Sequence, residues 1–170
     1  MLKSLNYGED IIHLRGLIDE DFVNYKLPSM FLITPYCDFK CDKEYGNQIC
    51  QNLPITKEPI ISIPIKDLYD RYINNNISKS IVIGGLEPFH KNSYTEIYYL
   101  IKYFRWHNCF DDIVIYTGYD AGEIISEVFS LSKFSNVIIK FGRYIPNQES
   151  HYDDVLGVEL ASPNQYAVEL

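Results

Sequence analysis

No apolar run in this sequence reaches the ~18 residues that a membrane-spanning helix needs, so no membrane partner is expected. The first ten residues, Met1 to Asp10, hold one lysine, two acids and no apolar segment. That excludes a secretory signal there and leads to the expectation of a cytoplasmic protein. Basic residues are in short supply: 15 Lys and Arg stand against 23 Asp and Glu, for a net charge of −8. A general nucleic-acid binder needs a basic face to neutralise phosphates, so no nucleic-acid partner is expected. Internal repeats and low-complexity linkers are absent. What is present is ordinary for a globular chain: 46% hydrophobic and 22% charged residues exclude a disordered or collagen-like protein. The 170 residues fit one domain, 1–170, with residues 1–27 set apart as an N-terminal extension. A chain this long buries roughly two-thirds of its unfolded surface and needs no disulfide to hold a core.

Cysteine is scarce as well, and its distribution is uneven. Cys37, Cys41 and Cys50 fall within fourteen residues, while Cys109 stands alone. Without a secretory signal the compartment is reducing, so a three-plus-one set reads as metal ligation rather than a disulfide framework. Charged neighbours Asp38, Lys40, Asp42, Lys43 and Glu44 argue against buried core thiols. The spacing C-x3-C-x8-C lacks the paired C-x2-C knuckles of many structural zinc sites, which close with four ligands. Here the fourth would have to be His90, Cys109 or a residue elsewhere. An iron–sulfur cube ordinarily takes four cysteines. With three, one iron is left open to a non-protein ligand. On spacing alone, zinc and an open cluster fit equally well.

From Met30 onward, strand and helix signals alternate. Met30–Ile33 is a short apolar run that leads into Thr34-Pro35-Tyr36-Cys37 and reads as a buried strand. Residues 37–59 have no period and contain Gly46, Asn47, Asn52 and Pro54, which predicts a long functional loop. Pro64 opens a predicted helix that ends at Asn74-Asn75-Asn76. Ser80–Ile83 is the next predicted strand, running into Gly84-Gly85. Ser93 and Glu96 have capping-box spacing, and Ile97, Leu100, Ile101 and Phe104 form a helical stripe. Ile113–Tyr116 is a third strand. Asp120 and Glu123 repeat the capping spacing ahead of a stripe of Ile124, Ile125 and Val128, and Val137–Ile139 is a fourth strand. Ahead of all these, Ile11–Leu14 and Phe22–Tyr25 look strand-like. Alternation of this kind predicts an α/β fold with a mostly parallel sheet, whose ligands bind at the carboxyl ends of the strands. Cys37, Gly84-Gly85 and Thr117-Gly118-Tyr119 all fall at that edge. Glycines at a strand end let a ligand approach the backbone closely, and Glu87 beside them is suited to holding a ligand's ammonium group.

Three cysteines after the first of these strands, followed by Gly84-Gly85-Leu86-Glu87-Pro88 after the second, resemble the radical S-adenosylmethionine (SAM) enzymes. Within them the small size resembles the activating proteins of the anaerobic (class III) ribonucleoside-triphosphate reductases. Val23-Asn24, Pro88-Phe89-His90, Ile115-Tyr116-Thr117-Gly118-Tyr119, Gly142-Arg143-Tyr144 and Ser162-Pro163-Asn164-Gln165 resemble that group's further motifs, in order. The likeness runs from about residue 22 to residue 166, and Tyr-Thr-Gly-Tyr is its most specific piece. Four departures stand out. Eight residues separate Cys41 from Cys50 where the family has two, and Leu86 intervenes before the acid. Phe141 replaces an acidic residue, and no Arg-Gly-Ser precedes Asn164-Gln165.

The resemblance implies an incomplete β/α barrel of mostly parallel strands and a [4Fe-4S] cluster held by Cys37, Cys41 and Cys50. It implies that the amino and carboxylate groups of S-adenosylmethionine chelate the fourth iron. Gly84, Gly85 and Glu87 would bind the methionine end, and Tyr116 and Thr117 would line the same pocket. One electron then splits the S–C5′ bond into methionine and a 5′-deoxyadenosyl radical. That radical takes a hydrogen from a glycine Cα of the partner, a glycyl radical enzyme. The implied partner is the large subunit of an anaerobic ribonucleotide reductase, and the implied donor is flavodoxin- or ferredoxin-like. Two other readings remain open: a radical SAM enzyme modifying another peptide or small molecule, and a non-catalytic zinc-binding interaction domain. Cys109, beyond the helical stripe, reads as a structural thiol.

Overall fold

The computed structural model describes residues 10–170. The first nine residues of the expected N-terminal extension therefore lie outside the described residues. Three runs rich in β-branched residues, Ser80–Gly84 (β5), Asp112–Tyr116 (β6) and Val137–Phe141 (β7), form the middle of the fold together with Ser29–Ile33 (β3). These four strands pair in parallel, with Ile33 opposite Gly84, Ile83 opposite Ile115 and Ile115 opposite Ile139. Continuous apolar runs of this kind belong to strands covered on both faces.

Alternation of side chains divides the two cores. Ile81, Ile83, Ile113, Ile115, Val137 and Ile139 face a large cluster that includes Ile97, Leu100, Ile101 and Phe104 of helix α3 (Tyr94–Trp106). Val82, Val114 and Ile138 face the other way, onto Tyr25, Leu156 and Leu160. The first face is the helical one, with Ile65–Ile73 (α2) and Ile125–Leu131 (α4) contributing Ile65, Leu68, Tyr72 and Leu131. The second face has only a small core. It is covered by the 22–28 segment and by the hairpin of His151–Asp153 (β8) with Val158–Leu160 (β9). That leaves room above it.

The structure is mixed α/β, and its sheet is mostly parallel as expected, with an antiparallel strand at each edge. Six strands run in the order β10-β7-β6-β5-β3-β2, and the edge strands Gly16–Asp21 (β2) and Tyr166–Glu169 (β10) are antiparallel to their neighbours. Ile11–Leu14 (β1) forms as expected and pairs with Ile61–Pro64 (β4) in a separate two-stranded sheet. The strand-like Phe22–Tyr25 is not a strand. Asp21 Oδ2 accepts the backbone and side-chain N–H groups of Asn24, at 3.1 and 3.0 Å, and this bends the chain there.

Two local expectations also yield to longer-range contacts. The Ser93–Glu96 capping box does not form, because the Glu96 carboxylate accepts the backbone N–H of His13 at 2.8 Å and meets His13 Nδ1 at 2.7 Å. The Asp120–Glu123 box does form, on a short 3₁₀ turn, Ala121–Glu123, ahead of α4. Ile125, expected on the buried stripe, is exposed instead.

Leu100 is fully buried on α3 and Phe129 is 81% exposed on α4. Leu100→Ala is expected to lower unfolding free energy by about 2–5 kcal/mol. Phe129→Ala is expected to change it by less than about 0.5 kcal/mol. Urea unfolding of the two variants beside the wild type measures both.

Candidate metal centre

The chain crosses the carboxyl edge of the parallel strands four times, and each crossing contributes to one cavity of about 450 Å³. Cys37, Cys41 and Cys50 line it, together with Gly85, Leu86 and Glu87 after β5 and Tyr116, Thr117 and Gly118 from β6 onward. Lys140, Gly142 and Tyr144 line it from β7. Of the site residues expected from the sequence, only Gly84 stands behind the wall. It is the last residue of β5, and its carbonyl accepts the N–H and Oγ1–H of Thr34, at 2.8 and 2.9 Å. Cys109 is buried in the helix-side core with Phe104.

The cysteine segment is more ordered than a loop. Lys40–Tyr45 is a short helix, α1, closed by Gly46 in the left-handed region at φ 81°, and Leu53–Lys57 is a 3₁₀ turn. The eight-residue spacer folds back on this helix, because Asp42 Oδ1 accepts the N–H groups of both Ile49 and Cys50 at 2.8 Å. Asn52 then donates its side-chain N–H to Gly85 O at 2.6 Å, tying the third cysteine's segment to the glycine turn. Gly85 itself has φ 87°, and a Cβ there would stand 2.6 Å from Ile33 Cγ2. Both facts require glycine.

Ion pairs hold α1 to the sheet edge. Arg143 is buried and meets Glu123 at 2.7 Å, Glu44 at 3.0 Å and Asp120 at 3.6 Å, while Lys40 meets Glu123 at 3.0 Å. The Arg143 guanidinium, aided by Lys40, holds the Glu123 carboxyl down at about 2. Cys37 Sγ accepts the N–H of Phe39 at 3.3 Å, and Cys41 Sγ accepts that of Tyr144. Burial nevertheless pushes the Cys37 thiol up to about 12 and raises that of Cys41. Metal binding would draw these protons off, since the thiolate is the ligand.

Glu87 is 5% exposed, and its carboxylate is fully engaged. It accepts Phe89 N–H at 2.9 Å, Thr117 Oγ1–H at 2.7 Å and Gly118 N–H at 3.0 Å. Burial outweighs these three donors and pushes its carboxyl up to about 7. Thr117 thus reaches the cavity wall with its hydroxyl committed to Glu87, and Tyr116 donates its hydroxyl to Asn24 O at 2.5 Å. Sequence reasoning missed Lys140, which is buried on the cavity wall. The signal was available: a lone lysine within the apolar run Val-Ile-Ile-Lys-Phe of a doubly covered strand requires a partner.

The donors suit an iron–sulfur cube. Three half-buried thiols open onto one cavity, and backbone N–H groups already point at two of the sulfurs. A cube takes its thiolates at separate corners. A family model of the 4Fe-4S single cluster domain matches residues 29–162, from the first residue of β3 to Ser162 beyond β9. The chain belongs to the 4Fe-4S single cluster domain family. No curated protein and no solved structure matches it. The matched span of this cluster domain contains all three clustered cysteines and every loop that lines the cavity from β3 to β7. A [4Fe-4S] cofactor is compatible with a redox enzyme. No helix of the described residues is long and apolar enough to cross a membrane.

Asp42 sets where Cys50 sits. Asp42→Ala frees two N–H groups and is expected to cut iron and sulfide retained after reconstitution by half or more. Asp42→Asn keeps an acceptor oxygen and is expected to fall between Asp42→Ala and wild type. Iron and sulfide assays before and after exposure to a chelator measure the difference.

Proposed function

We propose that this cluster domain is a radical S-adenosylmethionine enzyme, with Cys37, Cys41 and Cys50 as its three cluster ligands. The observation that carries the reading is the cavity itself. Three thiols and no fourth line the same space as the loops after β5, β6 and β7, so a cube held there would have one iron without a protein thiolate, free for a ligand. The open α/β sheet is then an incomplete β/α barrel, with its ligand at the carboxyl edge of the strands.

When bound, the cluster supplies one electron that splits the S–C5′ bond of S-adenosylmethionine into methionine and a 5′-deoxyadenosyl radical. The chain's own residues bind, orient and exclude water. Gly85, held in a conformation open to glycine, lets the backbone reach the methionine end. Glu87 holds the β5 and β6 loops together around it. In this reading Glu87 acts on the methionine end through the backbone it fixes, and Gly84 acts by its place in β5. Tyr116 and Thr117 form the wall between them. The hydrogen donor is a glycine Cα of a glycyl radical enzyme, the large subunit of an anaerobic ribonucleotide reductase. A flavodoxin- or ferredoxin-like protein supplies the electron.

Anaerobic reconstitution with iron and sulfide, then reduction by dithionite with S-adenosylmethionine, tests the reading. The expected outcome is a reduced-cluster EPR signal that changes with S-adenosylmethionine, together with 5′-deoxyadenosine. Cys50→Ala is expected to lose both and Cys109→Ala to keep both. A colourless protein that retains one zinc and yields no 5′-deoxyadenosine would overturn it in favour of an interaction domain. A glycyl radical signal on mixing with the reductase subunit tests the partner.

A further inference from the structure

One residue of the cysteine segment is held in a conformation that its side chain disfavours. Among the described residues, four non-glycine residues have a left-handed φ. Three are asparagines, Asn108, Asn136 and Asn147, a residue type that visits this region readily. The fourth is Phe39, between Cys37 and Cys41, at φ 54° and ψ 40°. A bulky residue stays there only when its surroundings impose it. The turn aims Phe39 N–H back at Cys37 Sγ, 3.3 Å away. It also starts α1, with Phe39 O accepting Lys43 N–H at 3.1 Å.

The restraint comes from Tyr119. Its hydroxyl donates to Oδ2 of Asp38, the residue between Cys37 and Phe39, at 2.7 Å. Tyr119 is itself a fixed post on the sheet edge. It is buried, it donates its N–H to Thr117 Oγ1 at 3.0 Å, and its carbonyl accepts Gly142 N–H at 3.1 Å. Lys40 Nζ lies 4.5 Å from the ring centroid and the Arg143 guanidinium carbon 6.0 Å from it. The other oxygen of Asp38 is 3.4 Å from Lys40 N, a contact too long to fix the turn by itself. The bond from Tyr119 is therefore the firm link between the Asp38–Phe39 turn and the sheet.

We propose that Tyr119 is a positioning residue for the cluster: through Asp38 it holds Phe39 in the left-handed turn and keeps an N–H on the Cys37 sulfur, which raises the cluster's reduction potential. Hydrogen bonds to the ligand sulfurs are one of the levers that set such potentials, and they favour the reduced, more negative state. The inference rests on Cys37 as a cluster ligand, as proposed above. It does not depend on which molecule occupies the open iron.

The test is a redox titration of the anaerobically reconstituted protein, followed by EPR without any added ligand. Tyr119→Phe removes one O–H group and keeps the ring between its two cations. It is expected to hold wild-type iron and sulfide. At a fixed potential its ratio of reduced to oxidised cluster is expected to fall by about 3- to 10-fold, equal to about 30 to 59 mV for a one-electron couple. The same substitution is then made in a Phe39→Gly background, where glycine takes φ 54° at no steric cost. There Tyr119→Phe is expected to change the ratio by less than about 2-fold. No shift in the native background overturns the proposal. An equal shift in both backgrounds assigns the effect to the freed Asp38 carboxylate and also overturns it. Loss of iron and sulfide from Tyr119→Phe makes the bond a support of the loop alone, with the same consequence. A full cluster in Cys37→Ala overturns the ligand assignment, and this inference with it.

Discussion

The Glu87 carboxylate is the interaction on which the site depends. Two loops leave the sheet at its carboxyl edge, after β5 and after β6, and each exposes backbone N–H groups that the strands no longer pair. One buried carboxylate collects them, taking Phe89 N–H from its own loop and Gly118 N–H and the Thr117 hydroxyl from the next. Its own N–H is donated to Tyr36 O at 2.8 Å, one residue before Cys37. A single residue thus joins three of the four loops that surround the cavity. Charged hydrogen bonds are stronger than neutral ones, and more so out of water. The arrangement tolerates burial of a carboxylate only because the donors converge.

The cavity exists because the two faces of the sheet are packed unequally. Isoleucines on the helical face meet α3 and give a deep apolar core. On the other face Val82, Val114 and Ile138 form a smaller cluster with Tyr25, Leu156 and Leu160, edged by partly buried residues such as Val155, Val158 and Ala167. Above that plug the same face presents Phe31, Tyr116 and Lys140 to open space. The cysteine segment roofs that space, held down by the Arg143 cluster on one side and by Asn52 on Gly85 on the other. The shape of this space and the side-chain contacts at its rim together bring the three thiols to the glycine turn.

What was legible in the sequence follows from how local each signal is. The parallel strands and α3 were plain because their apolar periods are long and set by burial within a few residues. The crowding of Cys37, Cys41 and Cys50 was plain because cysteine is otherwise scarce. The Ser93–Glu96 pattern misled because Glu96 found His13, 83 positions away, which no local rule anticipates. The edge strand β10 and the hairpin strands β8 and β9 have three or four residues each, too few to show a period, so the antiparallel edge at β10 was invisible. The place of Asp42 was hidden for a different reason. Its partners are backbone N–H groups seven and eight residues on, and such a bond leaves no trace in residue type.

The Asp42 contact also separates ligand placement from loop length. Cys50 takes its position from a hydrogen bond to the helix that carries Cys41, and the stretch between them only has to get there. Closing a loop costs little more as it lengthens. Residues 46–48 are exposed on the surface and sit outside the Asp42 contacts. This segment can therefore gain or lose residues, and take on new surface chemistry beside the cavity, while the third sulfur stays in register. The long spacer is in that sense a place where descendants of this chain are free to vary without rebuilding the centre.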